Sequence, residues 1–228
     1  MVGRPRADTL QGVMGWFGRK IYDRTRLLEQ AMRATRRRRR KRAISIYREI
    51  LRVDPNDAHV HRKVAPLLGH TKQLEDAWES YRLAGAQLAR QGFVDQAIGV
   101  YREACGYLPK DHRLWLALAE LEVQRKRPVD AVNALVDGAR NLRSRRTQDQ
   151  ALALLQRARK IQPAAFEPSY ELANLLVRAG ARDKAIQLLR GMAPRVRGRQ
   201  LRRLRRRLFF LSPTPANLWR WIASNFSR

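Results

Sequence analysis

The residue pattern with the clearest chemical potential is a run of seven cations, RRRRRKR, at residues 36–42. Guanidinium groups make charge-assisted hydrogen bonds to carboxylates and phosphates. A run this dense therefore predicts contact with an anionic partner. Adjacent cations also repel one another and destabilise a helix unless anions offset them. The predicted contacts are Arg36, Arg37, Arg38, Arg39, Arg40, Lys41 and Arg42.

Two later basic clusters extend this prediction to the rest of the chain. The further anion or phosphate contacts predicted are Arg145, Arg146, Arg202, Arg203, Arg205, Arg206 and Arg207. A structural interpretation is the alternative to an anionic partner. Cations at a helix C-terminus complement the helix dipole, and polar caps keep the ends of a repeat array soluble. The structural interpretation is favoured for the cations between 140 and 146, and the anionic partner for residues 36–42.

No sequence pattern indicates catalysis or a bound cofactor or metal. The four histidines are scattered, and the two closest, His59 and His61, point in different directions on a helix. Neither GxxxxGK[ST] nor GxGxxG occurs. The single cysteine, Cys105, allows no intramolecular disulfide and indicates a reducing compartment. We therefore expect a protein that is not an enzyme and needs no cofactor.

The net charge of +28 is concentrated at the two ends of the chain. Residues 1–42 carry 14 basic and 3 acidic residues, and residues 184–228 carry 12 basic residues and no acidic one. The 44% apolar fraction argues against a disordered chain. The N-terminus has no apolar leader segment and no stretch is long enough to span a membrane, so we expect a cytoplasmic protein.

The elements that must position these cations are set by a repeat. Ala43, Ala97 and Ala151 are 54 residues apart, and each is followed by a proline 12 residues later. A second series, Ala77, Ala131 and Ala185, has the same spacing and follows the first by 34 residues. The spacing predicts a 54-residue unit of three helices, in which 74–91, 129–146 and, by the same offset, 20–38 each form a long helix.

The 34-residue part of this unit resembles the tetratricopeptide repeat, a pair of antiparallel helices with small and large residues at fixed positions. Its opening motif is matched by HRKVA at 61–65, WLALA at 115–119 and SYELA at 169–173. The resemblance covers about residues 43–193. It implies an all-α fold, a right-handed α-solenoid of antiparallel helices with a 54-residue three-helix super-repeat.

The resemblance also implies which residues face a bound peptide or helix. Mapped onto the three units, the partner groove residues are Arg62, Pro66, Leu116, Glu120, Tyr170 and Asn174. Chaperone-binding members of the family hold a C-terminal carboxylate with a Lys-x3-Asn pair, and this chain has that pair in none of its units. Tyr170 and Asn174 remain a candidate hydrogen-bonding pair for a ligand.

The predicted organisation has three parts. Residues 1–42 form a basic N-terminal helical cap, 43–193 the repeat solenoid, and 194–228 basic amphipathic capping helices. In the last part the leucines of QLRRLRRRLFFL share one helical face, which packs on the solenoid or lies on an anionic membrane, and packing is favoured. Trp16, Phe17, Trp219 and Trp221 keep the membrane interpretation open.

The function that these features favour is a non-enzymatic adaptor or scaffold. The solenoid binds another protein, and the basic ends dock on an acidic partner surface. Because the 54-residue offset maps 36–42 onto later basic clusters, the cations are expected to line one edge of the solenoid. The alternatives are sequence-tolerant nucleic-acid binding, or peripheral binding to an anionic membrane, through that edge.

Overall fold

The computed structural model describes residues 22–226, which form twelve α-helices, two short 3-10 turns and no strand. The helices are α1 (Arg24–Arg36), α2 (Arg40–Val53), α3 (Ala58–His70), α4 (Leu74–Arg90), α5 (Val94–Tyr107), α6 (His112–Gln124), α7 (Pro128–Asn141), α8 (Gln148–Ile161), α9 (Phe166–Arg178), α10 (Arg182–Met192), α11 (Gly198–Leu211) and α12 (Pro215–Phe226). The 3-10 turns are Arg145–Thr147 and Ala193–Arg195. The predicted all-α class is confirmed.

The helices form an antiparallel solenoid with two rows. Each helix packs on the next along the chain, and α3 also touches α5, α6 touches α8 and α7 touches α9. Ion pairs join further helices that are two apart, such as Arg48 of α2 with Asp76 of α4 and Glu75 of α4 with Arg113 of α6. Odd-numbered helices therefore lie side by side in one row and even-numbered helices in the other.

The 54-residue period is confirmed in the middle of the chain. Helices α2, α5 and α8 begin at residues 40, 94 and 148, and α3, α6 and α9 begin at 58, 112 and 166. Two of these starts are fixed by aspartates, since the Asp57 carboxylate accepts from the Val60 N–H at 3.1 Å and that of Asp111 accepts from Arg113 N–H at 3.0 Å. The left-handed turn position also repeats, with Lys72 (φ 63), Lys126 (φ 57) and Gly180 (φ 81).

Small residues at repeat positions let neighbouring helices approach closely. A Cβ added to Gly85 of α4 would overlap the ring of Tyr101 on α5, and one added to Gly138 of α7 would overlap Trp115 of α6. The core is built around these contacts, with Tyr47, Tyr81 and Leu135 fully buried.

Several predicted boundaries were wrong. The first long helix is only α1, because the chain turns after Arg36, and residues 20–21 lie outside the described part. Helix α7 ends at Asn141, five residues before the predicted end, so Arg145 and Arg146 lie in a 3-10 turn. Helix α11 begins at Gly198, four residues before Arg202, where the period of α2, α5 and α8 would place its start.

The C-terminal segment packs on the solenoid. Leu204, Leu208 and Leu211 of α11 are buried in one cluster with Leu189 of α10 and Tyr170 of α9. Burial of these leucines excludes an arrangement in which the same face of α11 lies on a membrane. Within residues 22–226, none of the helices combines the length and the apolar character needed to cross a bilayer.

Candidate anion-binding clefts

A tight turn divides the run of cations at 36–42. Arg36 is the last residue of α1, Arg37 to Arg39 form the turn, and Arg40 begins α2. Arg38 adopts a left-handed conformation with φ 55, and its backbone N–H donates to the Thr35 carbonyl at 2.9 Å. The run therefore reverses direction, and neighbouring side chains point to different surfaces.

Alternate residues of the run line two different clefts. Arg36, Arg38 and Arg40 line a cleft of about 610 Å³, called here the N-terminal cleft. Arg37, Arg39 and Arg42 line a smaller hollow of about 140 Å³ between α1 and α2. All seven cations of the run are exposed, and among the described residues none of them forms an ion pair. Their charge is available to a ligand.

The N-terminal cleft combines cations with an apolar surface. It lies between α1, α2, α3 and α5, and Arg62, Lys63 and Pro66 of α3 add to its lining. Its one carboxylate, Glu103 of α5, is held by Arg62 at 2.8 and 3.0 Å. The apolar part includes Tyr107, whose ring meets that of His70 edge to face at 5.8 Å. Two predicted features, the cationic run and the groove residues of the first unit, thus meet in one cleft.

The N-terminus of α2 lacks the acidic residue that most other helices have. An Asp or Glu stands at the N-cap or in the first turn of α1 and of every helix from α3 to α10. Helix α2 instead begins with Arg40, Lys41 and Arg42, and its N-cap side chain makes no capping bond. A helix N-terminus carries partial positive charge, so these cations stand where they are least stable and where an anion binds most favourably.

The predicted groove residues do not form one continuous groove. Because the repeating unit holds three helices and the solenoid has two rows, equivalent helices of successive units fall in alternate rows. Arg62 and Pro66 of α3 lie in the odd row, Leu116 and Glu120 of α6 in the even row. Leu116 packs half-buried against the core and Glu120 is exposed.

The third pair of groove residues is engaged inside the protein. Tyr170 is only 7% exposed, stacks on Phe166 and lies under the guanidinium of Arg203, 4.2 Å from its ring centre. The Asn174 amide donates to Glu171 at 3.2 Å. A ligand that contacts Tyr170 must first displace Arg203, and the sequence could not indicate this because α11 lies outside the 54-residue register.

The same alternation separates the basic clusters. Consecutive helices are antiparallel, so the turns between α1 and α2 and between α7 and α8 lie at one end of the helices, and the turn between α10 and α11 lies at the other. The predicted single basic edge was therefore wrong. Arg145 and Arg146 are exposed in the α7–α8 turn and do not line the N-terminal cleft.

A second basic cleft of about 920 Å³, called here the C-terminal cleft, lies where α7, α9, α11 and α12 meet. Arg199, Arg202 and Arg206 of α11 line it without an ion pair in the described chain, together with Trp221 of α12. Arg203 and Arg140 also line it, but both are held by acids: Glu167 accepts from Arg203 at 2.7 Å and from Arg140 at 2.8 Å. The remaining two predicted contacts, Arg205 and Arg207, are half-buried beside the cleft residues on α11.

Sequence reasoning missed Arg140, Arg199 and Trp221 as parts of this cleft. Arg199 could have been found, since it stands three and seven residues before Arg202 and Arg206 and so shares their helical face. Arg140 and Trp221 come from helices whose proximity to α11 no local pattern encodes.

The cysteine and the two neighbouring histidines, which could support other chemistry, are accounted for by their surroundings in the fold. Burial raises the pKa of the Cys105 thiol from its ordinary 9.0 to about 12, so the thiol is neutral and unreactive at physiological pH. His61 is buried with Nε2 2.8 Å from the Pro55 carbonyl, while His59 is exposed and lines the N-terminal cleft. Within 22–226, no three His, Cys, Asp or Glu side chains gather as metal ligands.

Comparisons with known proteins agree on the fold. Family models described as tetratricopeptide repeat match residues 83–147 and 147–208, which together span more than half of the chain. No curated protein matches.

The solved structures with similar folds include the following three, at sequence identities too low to indicate what this chain binds. A tetratricopeptide repeat protein from Parabacteroides merdae is 12% identical with a TM-score of 0.33, over 90% of this chain and 94% of that one. PilW, a type IV pilus biogenesis factor, is 16% identical with a TM-score of 0.34 over the same shares, 90% and 94%. Yeast Tom70 is 15% identical with a TM-score of 0.30, over 81% of this chain and 44% of Tom70.

Proposed function

The chain belongs to the tetratricopeptide repeat family, whose solenoids are scaffolds for protein–protein interaction, and we propose that its N-terminal cleft binds an acidic segment of a partner protein. The observation that carries the proposal is that Arg36, Arg38 and Arg40 line the same cleft as the groove residues Arg62 and Pro66. The protein is then a non-enzymatic adaptor. Its cytoplasmic location stays a prediction from the sequence.

The lining of the cleft favours a peptide over a bare polyanion. Three free arginines surround it, and the apolar surfaces of Met32, Pro66 and Tyr107 line it as well. Tyr107 is half exposed, so its ring offers apolar surface to a ligand. A segment with several carboxylates and one apolar side chain matches both kinds of surface. The arginine forks hold the carboxylates, and the apolar anchor covers Tyr107.

Alternate residues of the run provide a matched test of this site. The probe is a fluorescein-labelled peptide of about 12 residues, rich in Glu with a central Leu, and its affinity is measured by fluorescence anisotropy. The variant Arg36→Gln, Arg38→Gln, Arg40→Gln removes three charges from the cleft. The control Arg37→Gln, Arg39→Gln, Arg42→Gln removes three charges from the same run but outside the cleft.

We expect the cleft variant to lose at least roughly 30-fold in affinity and the control to lose less than about 5-fold, since only the first loses direct contacts. Tyr107→Ser should weaken binding of the Leu-containing peptide but not of an all-Glu peptide. Equal losses in the cleft variant and the control would refute the site, because the run would then act only through its overall charge.

Sequence-tolerant nucleic-acid binding is the second candidate, favoured by the absence of ion pairs in the run within the described chain. A protein that neutralises phosphates shows a log–log salt dependence of about −0.9 per phosphate contacted on duplex DNA. Single-stranded RNA and duplex DNA titrated at several salt concentrations measure that slope. Nucleic-acid binding tighter than peptide binding, and lost equally in both triple variants, would favour this candidate.

A further inference from the structure

Helix α12 packs with polar side chains inward and apolar side chains outward. Asn217 is 6% exposed, and its amide donates to the Ser212 carbonyl at 2.8 Å; Ser224 is 1% exposed, and its hydroxyl donates to the Trp221 carbonyl at 2.6 Å. On the opposite side Leu218, Trp219 and Ile222 are exposed, Trp219 by 72%. Amphipathic helices in soluble proteins show the reverse arrangement.

The outward side chains continue onto α11 as one surface. Trp221 stacks on Phe209 with ring centres 5.5 Å apart, and its ring lies 6.2 Å from that of Phe210, which is 63% exposed. Leu218 stands three residues before Trp221 and four before Ile222, so it lies beside both on the surface of α12. We call Phe210, Leu218, Trp219 and Ile222 the apolar ridge. Contiguous exposed apolar surfaces of this kind mark sites of contact with another apolar phase or partner.

The apolar ridge adjoins the C-terminal cleft, because Trp221 lines the cleft and its ring lies beside that of Phe210 in the ridge. Residues 198–226 contain seven arginines and no acidic residue. Arg199, Arg202 and Arg206 of the cleft are not neutralised by an ion pair in the described chain. The α11–α12 pair thus combines an exposed aromatic and aliphatic ridge with an adjacent cluster of free cations.

We propose that the α11–α12 pair binds the surface of a bilayer that contains anionic phospholipids. Phosphate groups of the lipids enter the C-terminal cleft, and the apolar ridge inserts at the boundary of headgroups and acyl chains. A symmetric dimer through this surface would bring the same cations together, which disfavours a second copy of the chain as the partner. A single-stranded nucleic acid would stack on the tryptophans but would leave Leu218 and Ile222 uncovered.

The test uses the full chain and vesicle flotation. Vesicles of phosphatidylcholine alone are compared with vesicles that contain roughly 30% phosphatidylglycerol, an anionic lipid. The variant Arg199→Gln, Arg202→Gln, Arg206→Gln should lower the partition coefficient for anionic vesicles roughly 100-fold at low salt, because each basic residue near such a surface contributes about fivefold. The control Arg37→Gln, Arg39→Gln, Arg42→Gln removes the same number of charges near the other end of the chain. It should lower the partition coefficient less than about 5-fold.

The apolar ridge is tested separately. Leu218→Ser, Trp219→Ser, Ile222→Ser should lower the partition coefficient roughly 1000-fold or more, because three inserted apolar side chains each contribute about tenfold or more. The control Val53→Ser, Phe93→Ser, Val129→Ser removes exposed apolar side chains elsewhere and should have no effect. The tryptophan emission should shift to shorter wavelength on addition of anionic vesicles, and this shift should be lost in the ridge variant.

Four results would overturn the proposal. The first three are equal binding to neutral and anionic vesicles, unchanged binding of the ridge variant, and equal losses in the two arginine variants. The fourth is tight binding of single-stranded RNA by a chain that fails to float with anionic vesicles. The peptide site is independent of this one, since the Arg36, Arg38 and Arg40 variant should lose the acidic peptide and still float. The two proposals therefore fail separately.

Discussion

Charge reversal at Arg36 and at Arg40 of the cationic run should have opposite effects on the stability of the fold. Arg36 closes α1, where a cation complements the negative end of the helix dipole, and Arg40 opens α2, where a cation opposes the positive end. We expect Arg36→Glu to lower the free energy of unfolding and Arg40→Glu to raise it. The two substitutions make the same change of charge four residues apart, so each is the control for the other.

The size of the difference follows from the helix ends. A charge in the first or last turn contributes about 0.3–1 kcal/mol, and reversing its sign doubles that effect. Both substitutions also relieve repulsion among the remaining cations, and this gain cancels in the comparison. Because both side chains are exposed, the lower part of the range applies. Arg40→Glu should therefore be more stable than Arg36→Glu by about 1–2 kcal/mol at low salt.

Urea unfolding followed by circular dichroism measures the difference, and thermal unfolding should show it as a gap of about 2–8 °C for a chain of this size. In 1 M salt the Debye length falls to about 3 Å, so the gap should largely close. Both variants should lose affinity for the acidic peptide, because both side chains line the N-terminal cleft. Equal stability of the two variants at low salt, or a gap that 1 M salt leaves unchanged, would refute this account of the run.

Three further predictions concern the repeat itself. Gly85→Ala should destabilise the fold by about 1–3 kcal/mol in urea unfolding, since the added methyl overlaps Tyr101, whereas Gly99→Ala in open space should stabilise it slightly; equal effects would contradict the packing argument. Lys126→Gly should stabilise by about 0.5–1 kcal/mol in the same assay, because it relieves a left-handed residue at the position where the next unit has Gly180. Between pH 9 and 11 only the unfolded chain ionises Cys105, so the stability of the native sequence should fall with pH more steeply than that of Cys105→Ala, by about 1 kcal/mol per pH unit, and parallel curves would show that the thiol is not protected.

Local sequence signals predicted the elements well wherever one helix or one turn decides the outcome. The starts of α5 and α8, and of α6 and α9, follow the 54-residue spacing, because small core residues recur with it. Aspartate caps recur with this spacing only at α3 and α6. The Arg run was predicted to begin within the long helix at 20–38, and only Arg36 of the run lies in that helix. It was not predicted to alternate between two clefts, because that depends on the left-handed turn at Arg38, and nothing in a row of identical side chains indicates such a turn.

Features that depend on the arrangement of whole helices were not accessible from the sequence. A period gives the residues that are equivalent, but the number of helices in each period decides whether equivalent residues share a surface. Three helices per unit in a two-row solenoid put α3 and α6 in different rows, which broke the predicted groove and the predicted edge. For the same reason, nothing in the sequence indicated that Arg203 covers the ring of Tyr170.

The odd number of helices in each repeating unit also limits where this solenoid can bind a partner. A contact residue that recurs with the 54-residue unit alternates between two rows, so the repeats alone cannot build one extended stripe of equivalent side chains. We therefore expect recognition at the ends of the array, where the pattern is broken. Among the helices from α1 to α11, only α2 and α11 have no acidic residue at the N-cap or in the first turn, and both carry cations there. Helix α2 supplies Arg40 to the N-terminal cleft, and α11 supplies Arg199, Arg202 and Arg206 to the C-terminal cleft. A glutamate in place of Arg40 should stabilise the fold, so the presence of a cation at that position favours a function in binding an anion. The stability and the peptide affinity of Arg40→Glu, measured together, test this.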